Sequence, residues 1–198
     1  MLALLVSLSY VSPSRVLLVK GRAACCLEGE SSLLATEVLL SGAFAQLDVP
    51  PTCALISTLL SEGKQPATTS GMVSEADLIA LDCGLDPAVS KLVECVSRLG
   101  QALDKCGLPS AVGLDLELAK AVHTWSSGHS FEEAMSRCPD GFEGRLVRHL
   151  RSLYEFLRQL AEAAVALGNT SLKNRFAECI QSIQRGIPFA NSLYLRDE

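Results

Sequence analysis

Apolar residues recur three and four positions apart along most of this chain, the spacing that lays one face of a helix against a core. Leu33, Leu34, Val38, Leu39, Phe44 and Leu47 form such a series over residues 32–47. Pro50-Pro51 breaks it, and Pro51 suits the first turn of a following helix over about 52–62. A longer helix is predicted over 86–106, with Pro87 near its start, a stripe of Leu92, Val96, Leu99 and Leu103, and Gly107-Leu108-Pro109 as its stop. The pattern resumes over 114–125 and closes at Ser126-Ser127-Gly128. Ser130 and Glu133 have capping-box spacing and begin a short helix that ends near Arg137. The longest helix is predicted over 142–167, stopped by Gly168-Asn169, and another follows over 170–184. Gly186-Ile187-Pro188 turns the chain into a last short element over 189–195. Residues 14–27 read differently: Val16 to Val19 is a continuous apolar run and Ala23 to Leu27 a second, which predicts a short strand, turn and strand. Residues 63–74 are a polar loop. The fold class is therefore all-α, a helical bundle led by a short extended segment.

The helix over 142–167 has two distinct faces. At about 100° per residue, Leu146, Leu150, Leu153, Leu157 and Leu160 fall on one side and face the core. Arg145, Arg148, Arg151 and Arg158 fall broadly opposite, interleaved with Ser152, Glu155 and Gln159, while His149 and Phe156 lie toward the flank. Planar guanidinium groups in such a row can hold a phosphate backbone or stack on a base. The plainer reading is a solvated polar face, with Arg151 and Glu155 as an i,i+4 pair.

Composition narrows the choices. Hydrophobic residues make up 48% of the 198 positions but aromatic ones only 5%, so the core is built of small and aliphatic side chains, as packed helices allow. The net charge of −5 gives no overall attraction to polyanions, so any nucleic-acid contact must come from a local basic stripe. Eight cysteines, none in a Cys-x-x-Cys pair, and three scattered histidines offer no local zinc site and read as buried free thiols. The apolar start MLALLVSLSYV lacks a basic leader and is too short to span a bilayer, so residues 1–13 are expected to be a buried strand or helix, and no membrane partner is expected. Asn169-Thr170-Ser171 matches a glycosylation pattern but reads as a helix cap. Trp125, Tyr194 and His123 read as structural residues. Catalytic signals are missing: Ser61-Glu62-Gly63-Lys64 lacks the upstream glycine and following hydroxyl of a phosphate-binding loop, and no nucleophile elbow or His-Glu-x-x-His is present.

Several motifs occur together in order: Lys20-Gly21-Arg22-Ala23-Ala24-Cys25, Glu37-Val38-Leu39-Leu40-Ser41-Gly42, Trp125-x-x-Gly128, Phe142-Glu143-Gly144 with Leu146-Val147-Arg148, Gly168-Asn169, Phe176, and Phe189-Ala190-x-Ser192-Leu193-Tyr194-Leu195. Over about residues 14–198 the chain thereby resembles the C-terminal helical (DSHCT) domain of exosome-associated DExH-box RNA helicases, of the superkiller and nuclear-exosome types. The resemblance implies a domain that packs on two RecA-like lobes and a winged helix in cis and closes a channel for single-stranded RNA. Its long helix would touch RNA through Arg145, Arg148, Arg151 and Ser152, with Ser152 standing where nuclear members often carry a basic residue. ATP and Mg would belong to the helicase core, which would move RNA in the 3′-to-5′ direction. The RNA exosome and its adaptor proteins would be partners, in the nucleus or, for the superkiller type, the cytoplasm.

Two other classes fit the residues. One is a stand-alone helical module that binds protein through an apolar groove. The other is a helix-turn-helix-like nucleic-acid binder over 130–159, which the acidic balance disfavours.

Overall fold

The computed structural model describes residues 1–29, 31–60, 74–109 and 113–190. The polar loop (apart from its last residue, Ser74), Lys64, Tyr194 and the end of the last predicted element lie outside the described residues. Among the described residues every regular element is helical: α1 (Leu2–Ser7), α2 (Val19–Ala24), α3 (Ser32–Ser41), α4 (Val49–Ser57), α5 (Glu75–Ile79), α6 (Asp86–Lys105), α7 (Ala119–Ser126), α8 (Phe131–Met135), α9 (Glu143–Ala166), α10 (Thr170–Ile183) and a 3-10 turn, Ile187–Phe189. The all-α reading holds.

The expected strand, turn and strand does not form. One isolated antiparallel bridge joins Val11 to Leu17, and the chain then enters α2. Lys20, Arg22, Ala23 and Ala24 are good helix formers, and the apolar run that suggested a strand supplies only the extended residue before the helix. Gly21 is required here: a Cβ would stand 2.3 Å from the Tyr10 carbonyl oxygen and 2.6 Å from a Leu17 methyl. The N-terminal apolar residues form α1, with Leu4 and Tyr10 buried. α5 was not legible as an apolar series. It starts on a capping box, Ser74 and Asp77, whose carboxylate accepts from the Ser74 backbone N–H at 2.9 Å.

α9 lies at the centre, against α10 along much of its length, with α2 and α4 on its other sides. Leu146, Leu150, Leu153, Leu157 and Leu160 are all fully buried, as their period requires. α4 packs on α7 and α3 on α6. Phe44 and Phe176 meet edge to face at 5.4 Å between centroids, and Trp125 meets Phe131 at 5.9 Å. Trp125 donates its indole N–H to the Ile183 carbonyl at 2.9 Å, so it is the core anchor its sequence context predicts.

A carboxylate is built into this apolar interior. Glu37 on α3 is 1% exposed and is met by Lys20 at 2.5 Å, Arg98 at 2.6 Å and the Tyr10 hydroxyl at 2.8 Å. Lys20 also donates to the Leu8 carbonyl at 2.8 Å and lies over the Tyr10 ring. Burial and the neighbouring Glu37 carboxylate both push the Tyr10 phenol up, so it remains a hydrogen-bond donor at any ordinary pH.

Two outcomes follow for stability in a urea titration. Leu153→Ala removes a fully buried side chain and should cost about 2–5 kcal/mol. Glu37→Gln should cost about 2–3 kcal/mol, less than a fully buried pair, because Arg98 reaches solvent once its partner is neutral. A loss near zero in either case would mean that the side chain is not placed as described.

Candidate nucleic-acid interface

The candidate interface is the side of α9 turned away from its leucines. The helix starts where Phe142, in extended backbone, donates its N–H to the Asp140 carboxylate at 3.2 Å. The first arginine does not join the exposed row. Arg145 is only 7% exposed; its guanidinium meets Glu117 at 2.5 Å and Asp140 at 3.1 Å. The hydrogen bonds it donates to these carboxylates outweigh the cost of burial, so the guanidinium stays charged well beyond its usual range. Its angular position is the reason: Arg145 precedes Leu146 by one residue and shares its side of the helix with His149 and Phe156, which are also buried and not on the flank.

The remaining predicted residues are exposed and close together. Arg148 is exposed and makes no hydrogen bond or ion pair to another described residue. Ser152 lies one turn further along, also exposed. Arg151 is exposed too, but its Nε donates to the Pro188 carbonyl at 2.7 Å. The expected Arg151–Glu155 pair is replaced by Arg158 and Glu155, 3.5 Å apart. Surface pairs of this kind contribute little, roughly 0–1 kcal/mol.

Beside this row is a groove of about 390 Å³ lined by Arg151, Ser152, Glu155, Phe156 and Gln159 of α9, with Glu28 and Leu60 on the opposite wall. Gln159 accepts the backbone N–H of Glu28 at 3.0 Å, which ties the segment after α2 to α9. The far wall, Glu28 and Leu60, comes from segments distant in sequence, and periodicity along α9 gave no signal for either. The groove offers one guanidinium, two carboxylates, an amide, a hydroxyl and an apolar floor at Phe156. That set matches the edge and face of a nucleobase better than a bare phosphate, which Glu28 and Glu155 repel.

Other chemistry finds little support among the described residues. No group of three or more His, Cys, Asp or Glu is placed to hold a metal ion. The cysteines are free, and burial pushes the Cys83 thiol up to about 11 and those of Cys95 and Cys138 upward, away from the thiolate needed for nucleophilic work. Among the described residues no helix is long and apolar enough to cross a membrane.

Comparison with known proteins identifies the family of this helical bundle. The chain is 34% identical over 194 residues to the DExH-box ATP-dependent RNA helicase DExH10 of Arabidopsis thaliana, and 32% identical over 197 residues to the human exosome RNA helicase MTR4; each alignment covers 95% of this chain and 18% of the relative. It is 28% identical over 197 residues to the yeast antiviral helicase SKI2, covering 98% of this chain and 15% of that protein. The chain thus spans about a fifth of the length of these relatives. The DSHCT (NUC185) domain model matches residues 14–190, nearly the whole helical bundle including α9 and the turn after α10. This chain belongs to the DSHCT domain family, the domain it shares with DExH-box and MTR4- and SKI2-type RNA helicases.

Proposed function

We propose that this domain guides single-stranded RNA along α9 for an ATP-dependent DExH-box helicase engaged in exosome-linked RNA processing and decay. The observation that carries the reading is Arg148, an exposed guanidinium with no partner among the described residues, beside a groove with the polar inventory of a base site. A strand laid along α9 would place backbone phosphate at Arg148 and a base edge at Arg151, Ser152 and Gln159. Arg145, held by Glu117 and Asp140, would fix the start of the helix and so the height of that row. Its contribution to RNA binding would be indirect.

The motor lies outside this chain's own chemistry. The sequence has no phosphate-binding loop ending in Gly-Lys-Ser/Thr, so ATP and Mg²⁺ would be held by a RecA-like core, with a winged helix beside it. Movement of RNA in the 3′-to-5′ direction, the exosome and its adaptors as partners, and a nuclear site of action are part of the same proposal. Of these, only the exosome link is supported by a relative's name, exosome RNA helicase MTR4 at 32% identity; the likeness to SKI2 at 28% keeps a cytoplasmic site as the alternative.

The test is single-stranded RNA binding by the chain across a salt series, with Arg148→Ala and Arg151→Ala singly and together. Each lost phosphate contact should flatten the slope of log K against log salt by about 0.7, with circular dichroism unchanged. A folded double variant that binds like the wild type, or a folded wild type that binds no RNA, refutes the reading. Arg145→Ala should behave differently. It leaves two carboxylates without their cation at the base of α9, so it should lower the melting temperature by several degrees before it changes the salt slope.

A further inference from the structure

The 3-10 turn after α10 is fastened at both ends. Upstream, Arg185 donates to the carbonyls of Trp125 and, at 2.6 Å, of His129, and its guanidinium lies 3.7 Å over the Trp125 ring. Gly186 follows with φ +60, and a Cβ there would stand 3.2 Å from the Trp125 ring, so glycine alone suits the position. Downstream, the Phe189 ring packs on Tyr154 of α9 at 5.6 Å between centroids. Between these anchors Pro188 is buried and its carbonyl accepts from Arg151 Nε at 2.7 Å. Tyr154 and Arg151 are three residues apart, one turn of α9, so the turn grips the helix at two successive positions on one side.

A guanidinium has five N–H donors in a rigid plane. Spending the Nε–H on a fixed carbonyl sets that plane and leaves the terminal nitrogens as a fork. Arg151 also lines the groove beside α9, so the turn and the groove meet at this one side chain. An unheld arginine on a helix surface samples many rotamers and gives up that freedom on binding. We propose that the 187–189 turn is a positioning element: the Pro188 carbonyl, seated by Phe189 on Tyr154, pre-aims the Arg151 fork at RNA in the groove. This rests on the proposed function, and Arg148 then differs from Arg151 in kind. Arg148 is a mobile charge that follows a phosphate, and Arg151 a fixed donor that selects a planar acceptor.

The test is a double-mutant cycle on the 198-residue chain, read by single-stranded RNA affinity. Phe189→Ala should weaken binding about threefold to tenfold, the scale of one hydrogen bond's orientation, and Phe189→Tyr should restore it. In an Arg151→Ala background, Phe189→Ala should have no further effect. Arg151→Lys keeps the charge but loses the fork, so it should bind as weakly as Phe189→Ala while keeping the wild-type salt slope. In the wild type the Arg151 Nε–H resonance should exchange slowly with water, and that protection should vanish in Phe189→Ala. A rapidly exchanging Nε–H in the folded wild type overturns the proposal whatever the variants do. So does an equal loss from Phe189→Ala with and without Arg151. If Arg151→Ala weakens binding and Phe189→Ala does not, only this inference falls. If Arg151→Ala binds like the wild type, Arg151's part in the proposed function falls with it.

Discussion

The buried carboxylate of Glu37 is the constraint on which the N-terminal half depends. An ionised group at 1% exposure is tolerable only if its lone pairs are met, and here three donors meet them from three different segments. Tyr10 comes from the stretch after α1, Lys20 from α2 and Arg98 from the middle of α6. Apolar packing alone would let α2 and α6 slide on α3, since contacts between aliphatic side chains are non-directional. The hydrogen bonds to Glu37 are directional, so they fix which turn of each helix faces α3. The position of α2 matters beyond its own packing, because the segment that follows it carries Glu28 to the wall of the groove and bonds to Gln159.

A second anchor plays the same part at the other end of the molecule. Trp125 takes Arg185 on its ring face, Phe131 on its edge and the Ile183 carbonyl on its indole nitrogen. It thereby sets where α10 ends and where the chain turns back toward α9. Additional fastening comes from Arg175, which donates to the Leu47 carbonyl and holds α10 to the start of α4. α9 is therefore braced between two polar anchors, one through α2 and one through the turn after α10. A rigid helix is what a guiding surface needs: a ligand that meets fixed groups loses less entropy than one that must order them.

Much of this was legible in the sequence because it depends on spacing. The leucine period of α9, the Ser130 capping box and the Gly168 stop each encode a local rule, and α9 and α10 fall within a residue or so of where those rules put them. The errors share a cause. Val16 to Val19 is apolar and β-branched at both ends, so it reads as a strand, but the chain enters α2 at Val19, and the close approach of Gly21 to Tyr10 that seats this helix is reported by no local pattern. Arg145 looked exposed because arginine usually is. Its burial needed carboxylates from two separate stretches, Glu117 and Asp140. The groove's opposite wall was invisible for the same reason.

The three arginines that begin α9's polar row show how one helix face can serve fold and ligand at once. They are spaced three apart, so each is displaced from the last by about 60° around the axis. That rotation carries Arg145 into the protein, Arg148 outward and Arg151 toward the returning C-terminal turn. Equal spacing in sequence thus yields three unequal states: a charge neutralised in the structure, one presented to solvent, and one oriented by a backbone carbonyl. Under the RNA-guiding role proposed above, the net charge of −5 would leave these few groups to meet the strand. A strand that must slide cannot be held by a large cationic field, whose grip grows with every phosphate neutralised. In the proposed role, an exposed guanidinium beside one oriented by a carbonyl, with carboxylates flanking the groove, would offer contacts that can be made and released one nucleotide at a time.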